Sequence, residues 1–343
     1  MNRVEPLSRE VMEACRLYVD NLTKPLGSLG RLEDMAVRLA GISGEEKPSS
    51  LPKAVVIFCG DTAVDGEKNE TRGVRSYNEA ALVAKGYGPV NAAARQIGAA
   101  VYVIDVGLEK ESASIPGVLV QKAVRGTHKG SPAMKREAAE QAIQTGMAVA
   151  KTLAKEGIRA AGLGNIGERS MLAALAVTAA ILKKDLQEAS VKQGLQLELS
   201  KLKDFGDDPC GVLADIGSAE IAALFGFTVQ AAREHMAVVF DNAVTGAAAL
   251  AAVTVYPEIR DYIFPSAVYE EPVHQMQLRK LGMKGYLHYD MTEAEGFGSA
   301  LGLSLLDASL CMLNLMATFG SGGVDVAEDG PGKGRQREDV KNK

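Results

Sequence analysis

The chain has 343 residues, 47% hydrophobic and 24% charged, with 36 glycines and a formal net charge of -5. This composition suits a globular α/β protein and excludes a disordered or fibrous chain. The modest negative charge leaves no electrostatic footprint for nucleic acid or for an anionic membrane surface.

The N-terminal stretch "MNRVEPLSREVMEACRLY" is charged and amphipathic, without the apolar run of a signal peptide. Residues 8–22 and 31–42 have helical periodicity and are separated by "KPLGSLG", where Pro25, Gly27 and Gly30 punctuate the chain. After the polar linker "SGEEKPSSLPK" the pattern changes to short β-branched runs: "AVVIFCGD" (54–61), "AAVYVIDVG" (99–107) and "MAVVFDNA" (236–243). Such runs are expected of buried parallel strands. Ala-rich segments over 79–97 and 135–155 predict the helices between them, so a doubly wound α/β fold with right-handed connections follows. Ligands of such sheets bind beyond the strands' carboxyl ends, where Asp61, Asp105 and Asp241 fall. Each of the three can equally serve as a turn or cap residue.

A fourth candidate strand in "IRAAGLGNIGERS" (158–170) runs into a glycine-rich turn and then the helix "SMLAALAVTAAIL". Gly162, Gly164 and Gly167 ahead of that helix predict a phosphate cradle of backbone N–H groups. No Gly-Lys-Ser/Thr follows, so a phosphorylated ligand other than a P-loop nucleotide is expected. Near the other end, "EAEGFGSALGLSLLDASL" (293–310) places Glu293 and Glu295 just before a helix expected to start near Phe297. There they either complement the helix terminus or do chemistry. The longest apolar region, 243–256, is interrupted by Thr245 and Gly246 and is too short to span a bilayer. The tail 326–343 is polar and rich in Gly and charge, and is expected to be disordered.

Four scattered cysteines, Cys15, Cys59, Cys210 and Cys311, lack CxxC spacing, so neither a zinc site nor a disulfide framework is expected, and a reducing cytoplasm is the natural compartment. His128, His235 and His288 have no ligand spacing among them, and no metal site is expected.

Several of these landmarks together resemble the nicotinate-nucleotide:dimethylbenzimidazole phosphoribosyltransferases. "TKPLGSLGRLEDMAVRLAGI" resembles that family's N-terminal signature. "VVIFCGD", "NAAARQIGAAVYVIDVG", "GTHKGSPAM", "DPCGVLADIGSAEIAAL", "VVFDNAVTGAAALAA", "EEPVH" and "EGFGSALGLSLLDASL" follow in the family's order, covering roughly residues 20 to 320. The resemblance implies a Rossmann-like parallel sheet flanked by helices (52–300) and a small helical domain built from both chain ends (1–45 and 301–325). It implies a dimer, no metal or redox cofactor, and transfer of the 5-phosphoribosyl group from nicotinate mononucleotide to an aromatic base, with release of nicotinate.

By the same resemblance Glu295 is the general base, Glu293 lies at the base site, the glycine-rich turn holds the nucleotide phosphate, and His274 matches a position near the site, as a functional or a structural hydrogen-bonding group; Asp241, at its strand end, is a further candidate for substrate binding. Lys192 falls only loosely on a lysine near the nucleotide, and a solvated helix lysine is the expected reading. A partly buried carboxylate suits the role of base, because a ring nitrogen or a phenol becomes a better nucleophile as its proton departs.

The chain also departs from the pattern. Leu163 stands for a loop glutamate, Glu168 and Arg169 for an Asn-Thr pair, Thr62 for a histidine, Asn78 for a proline, and Ala84 lies near a glutamine that helps hold benzimidazole. An acid at Glu168 is expected to repel a phosphate unless Arg169 turns inward to offset it. These changes resemble a paralogue from the heterodimers that activate phenol or p-cresol, in which one subunit supplies the catalytic site.

Overall fold

The structure is a computed structural model and describes residues 3–62, 73–123, 132–183, 204–292, 295–327 and 329–341. It comprises two compact units: Met1–Val4 with Pro52–Leu303, and Glu5–Leu51 with Ser304–Lys343.

The larger unit is built on six parallel strands: β1 (Lys53–Gly60), β2 (Ala100–Gly107), β3 (Val118–Val120), β4 (Ala160–Ile166), β5 (Ala237–Phe240) and β6 (Ile263–Pro265). They lie side by side in the order β3-β2-β1-β4-β5-β6. Every neighbouring pair is parallel. The central strands β1, β4 and β5 are buried nearly end to end, which is why they read as continuous apolar runs rather than as alternation. The edge strands β3 and β6 have three residues each, too few to register as a pattern.

Helices α3 (Val74–Ala84) and α4 (Pro89–Gln96) connect β1 to β2, α5 (Arg136–Lys155) connects β3 to β4, α6 (Ser170–Leu182), α7 (Pro209–Ile216) and α8 (Ala219–Arg233) lie between β4 and β5, α9 (Ala243–Val255) connects β5 to β6, and α10 (Pro272–Leu281) follows β6. The single helix expected over 79–97 is two helices. Gly86 adopts φ +85° and Pro89, which has no N–H, opens the second helix. The Ala-rich faces of α6 and α9 are buried nearly all round, as core helices must be.

The smaller unit contains α1 (Arg9–Asp20), α2 (Arg31–Ser43), the second half of α11 (Phe297–Leu315) and the short α12 (Phe319–Gly322). Ser8 caps α1 by accepting the Val11 N–H at 3.4 Å. The "KPLGSLG" loop is held by a buried ion pair, with Lys24 Nζ 3.0 Å from Glu33 Oε1. The same oxygen accepts the Leu29 N–H at 2.9 Å.

The tail expected to be disordered is instead tied down over its described residues. Arg337 N–H donates to Asn21 Oδ1 at 2.5 Å, Gln336 Nε2 donates to the Asp20 and Lys24 carbonyls, and Arg335 pairs with Asp20 at 2.5 Å. Its anchors are polar, so a reading based on hydrophobicity could not find them. By length and composition α11 is apolar enough to cross a membrane. Its Ala300, Leu303 and Leu313 are fully buried, as in a core helix.

Candidate active site

In this strand order the chain changes direction between β1 and β4, and the crevice beyond their carboxyl ends is where an open parallel sheet receives ligands. A cavity of about 990 Å³ lies there, walled by Asn165, Ile166, Gly167, Glu168 and Arg169 from the end of β4 and by Val74, Arg75, Asn78 and Glu79 from α3; Thr292 and Glu295 complete it.

Glu295 reaches the cavity because two glycines of β4 let its segment come close. A Cβ on Gly164 would lie 2.6 Å from the Glu295 carbonyl oxygen, and one on Gly162 would lie 2.8 Å from Ser299 Oγ. Both glycines sit inside the strand, not in the turn, so the cradle expected of them is corrected: they make room for the residues leading into α11. On the far side of that helix start, Asp241 is fully buried and accepts from Ser266 Oγ at 2.9 Å and Tyr269 Oη at 2.7 Å. Burial pushes its carboxyl up to about 6, while those hydroxyls and the backbone N–H groups of Gly298 and Ser299 pull it back. A carboxylate at a helix N-terminus is favourably placed. Gly298 has no room for a Cβ beside it. Asp241 therefore anchors the start of α11 from beneath, and it does not line the cavity.

The turn between β4 and α6 supplies groups suited to an anion. Gly167 is packed against the Gly60 carbonyl with no space for a side chain. Arg169 lines the cavity in a left-handed conformation (φ +68°) at the cap position of α6, a conformation that L-residues adopt at a cost and that is often kept at functional sites. The Glu168 main chain is fixed to the end of β1: its N–H donates to Asp61 Oδ1 at 2.9 Å, and its carbonyl accepts the Thr62 N–H at 3.2 Å. Asp61 Oδ2 accepts from the Glu109 N–H at 2.8 Å, making Asp61 a brace rather than a ligand group. The Glu168 side chain accepts the Gly73 and Arg75 N–H groups at 2.9 and 3.3 Å, so its charge is matched by the start of α3.

Other expected residues lie elsewhere. Ala84 ends α3 away from the cavity, against Gly117. His274 is fully buried, with Nε2 donating to the Ala267 carbonyl at 3.1 Å, and burial lowers its pKa, so it stays a neutral structural group. Asp105 accepts the Gly107 and Leu108 N–H groups and the Ser112 hydroxyl, closing the turn after β2. Leu163 is fully buried and does not line the cavity. Glu293, Lys192 and His128 lie outside the described residues. Among the described residues no group of three or more His, Cys, Asp or Glu is placed to hold a metal ion.

The sequence reading missed three kinds of residue. Arg75 and Glu79 line the cavity as an i, i+4 ion pair at 2.7 Å. Asn165, a polar residue in an otherwise apolar strand, accepts from Asn242 Nδ2 at 3.0 Å. Glu220, in the first turn of α8, is fully buried beneath Gly60, whose Cβ would lie 2.6 Å from Oε2. Burial pushes the Glu220 carboxyl up to about 7, partly offset by the Ser170 and Ser218 hydroxyls.

The chain resembles known proteins over nearly its full length. It is 35% identical to the nicotinate-nucleotide–dimethylbenzimidazole phosphoribosyltransferase of Ruminiclostridium cellulolyticum, covering 95% of this chain and 97% of that one. It is 32% identical to the protein of the same name from Geobacter sulfurreducens, covering 94% and 97%. The crystal structure of the enzyme of that name from Thermus thermophilus superposes with a TM-score of 0.84 at 31% identity, over 94% of this chain and 100% of that one. A family model described as phosphoribosyltransferase matches residues 4–324, and the chain belongs to that family.

Proposed function

We propose that the protein transfers the 5-phosphoribosyl group of nicotinate mononucleotide to an aromatic base, dimethylbenzimidazole or a phenol such as p-cresol, and releases nicotinate. The observation that carries this reading is that one cavity brings together a carboxylate, Glu295, and a helix start flanked by a cation, Arg169. The phosphate would sit at the N-terminus of α6 with Arg169, where N–H groups and the guanidinium favour an anion. Binding energy gained there positions C1′ of the ribose for displacement. The base's nitrogen or oxygen then bonds to C1′, and the bond from C1′ to the pyridinium nitrogen breaks. Its electron pair stays on nicotinate, and the attacking atom's proton passes to Glu295.

The reading includes no metal or redox cofactor, a cytoplasmic location and a dimer, either of identical chains or with a paralogue. One observation favours a second reading, in which the chain is a catalytically weak partner subunit: Leu163 is a buried core residue where the family pattern carries a carboxylate. Nicotinate release by the purified chain decides between them, given nicotinate mononucleotide with dimethylbenzimidazole, adenine, phenol or p-cresol in separate reactions. Release with any base supports the enzyme; silence from a folded chain that regains activity only with a paralogue supports the partner.

A further inference from the structure

Glu168 joins three segments of the cavity wall. Its main chain is bonded on both sides to the end of β1, through Asp61 and Thr62, and its carboxylate bonds across to the first turn of α3. Gly73, which receives that carboxylate, has φ +76°, and a Cβ there would lie 2.9 Å from the Glu109 side chain, so the joint is tightly packed. The N-terminus of α3 would otherwise present unpaired N–H groups and a partial positive charge to the cavity. Two helix starts thus open on one cavity, and the protein's own carboxylate fills one of them.

We infer that Glu168 is a positioning residue: it latches α3 to the β4–α6 turn and so holds the wall bearing Arg75, Asn78 and Glu79 against the ligand. The inference rests on the proposed function in assigning the α6 start to the phosphate, which leaves the α3 wall to the aromatic base. It replaces the expected repulsion of phosphate by Glu168, because that charge is already matched by the α3 amides.

The test compares Glu168→Gln, which keeps an acceptor oxygen, with Glu168→Ala, which keeps none; Glu168→Asp, one methylene too short to reach both amides, replaces the alanine variant if that one does not fold. The alanine variant is expected to raise KM for the base about tenfold with kcat within about threefold, and the glutamine variant to recover most of the loss. Amide hydrogen exchange of a peptide covering residues 73–84 is expected to speed up in the alanine variant and to stay near the parent rate in the glutamine variant. Unchanged KM and unchanged exchange in the alanine variant would overturn the latch. So would a glutamine variant as impaired as alanine with parent-like exchange, since Glu168 would then act on substrate by its charge. If the parent releases no nicotinate with any base, the proposed function fails while hydrogen exchange still decides the latch.

Discussion

The carbonyl oxygen of Glu295 rests over the backbone of Gly164, so closely that a Cβ there would come within 2.6 Å of it. Neither partner can yield cheaply, since one is a central strand and the other leads into a buried helix. Gly164→Ala is therefore expected to push Glu295 out of place. The expected result is a kcat at least tenfold lower with KM for nicotinate mononucleotide little changed, whereas a phosphate-cradling Gly164 would raise that KM. Steady-state kinetics with nucleotide varied at saturating base separates the two.

Replacing the carboxylate itself tests the proton acceptor. Glu295→Gln keeps the shape and removes the basicity, and general-base catalysis is typically worth about 10²–10⁴-fold. A kcat lowered by about that range, with nucleotide binding retained by calorimetry, is the expected outcome. Parent-like turnover would leave Glu295 as a helix-terminus residue.

Arg169 carries a backbone cost and a side-chain benefit, and one substitution separates them. Arg169→Gly relieves a left-handed conformation worth about 1 kcal/mol and deletes the guanidinium. The variant is expected to melt slightly higher than the parent and to bind nicotinate mononucleotide about tenfold more weakly. Arg169→Ala should lose the same affinity without the gain in stability.

Glu220 makes stability depend on pH. Its carboxyl is raised from 4.5 to about 7 by burial, so the folded chain holds a proton that the unfolded chain has released. Below about pH 4.5 both states are protonated and the stabilisation is fully present. It is lost as pH rises towards 7, by about 3 kcal/mol in all. Glu220→Gln stays neutral throughout. Its thermal midpoint relative to the parent's is expected to climb between pH 5 and pH 8, and a constant difference across that range would count against a protonated Glu220.

In the smaller unit the Lys24–Glu33 pair is buried on both sides. Lys24→Met leaves the buried Glu33 carboxylate only the more distant Arg16, 3.9 Å away, and is expected to cost about 3 kcal/mol in a denaturant titration. Adding Glu33→Gln should restore part of that loss, because the poorly compensated charge is then gone.

Much of the fold was legible in the sequence where a local pattern carries the physics. The strands β1, β2, β4 and β5 stand out as apolar runs, and the start of α11 at Phe297 follows the small residues ahead of it. Glu295, Gly167 and Arg169, all singled out from sequence motifs, line one cavity. Ala84, His274 and Asp241 are not part of it, because adjacency to a motif says nothing about the direction a side chain takes. The sequence pattern predicts Gly162, Gly164 and Gly167 in one glycine-rich turn, but the strand continues through Ile166, so only Gly167 belongs to the turn.

What the sequence determined by itself is the alternation of strand and helix, hence a parallel sheet with its ligand end known, and a set of motifs whose order marks the family. Tertiary structure alone decided the roles of the polar groups. Asp61, Glu168 and Asp241 are all acids beside strand ends or helix starts. Which of them faces a ligand depends on whether backbone N–H groups from distant segments reach them first. Those partners lie up to 107 residues away, as Asp61 and Glu168 do, and a hydrogen bond across that separation leaves no trace in any local pattern.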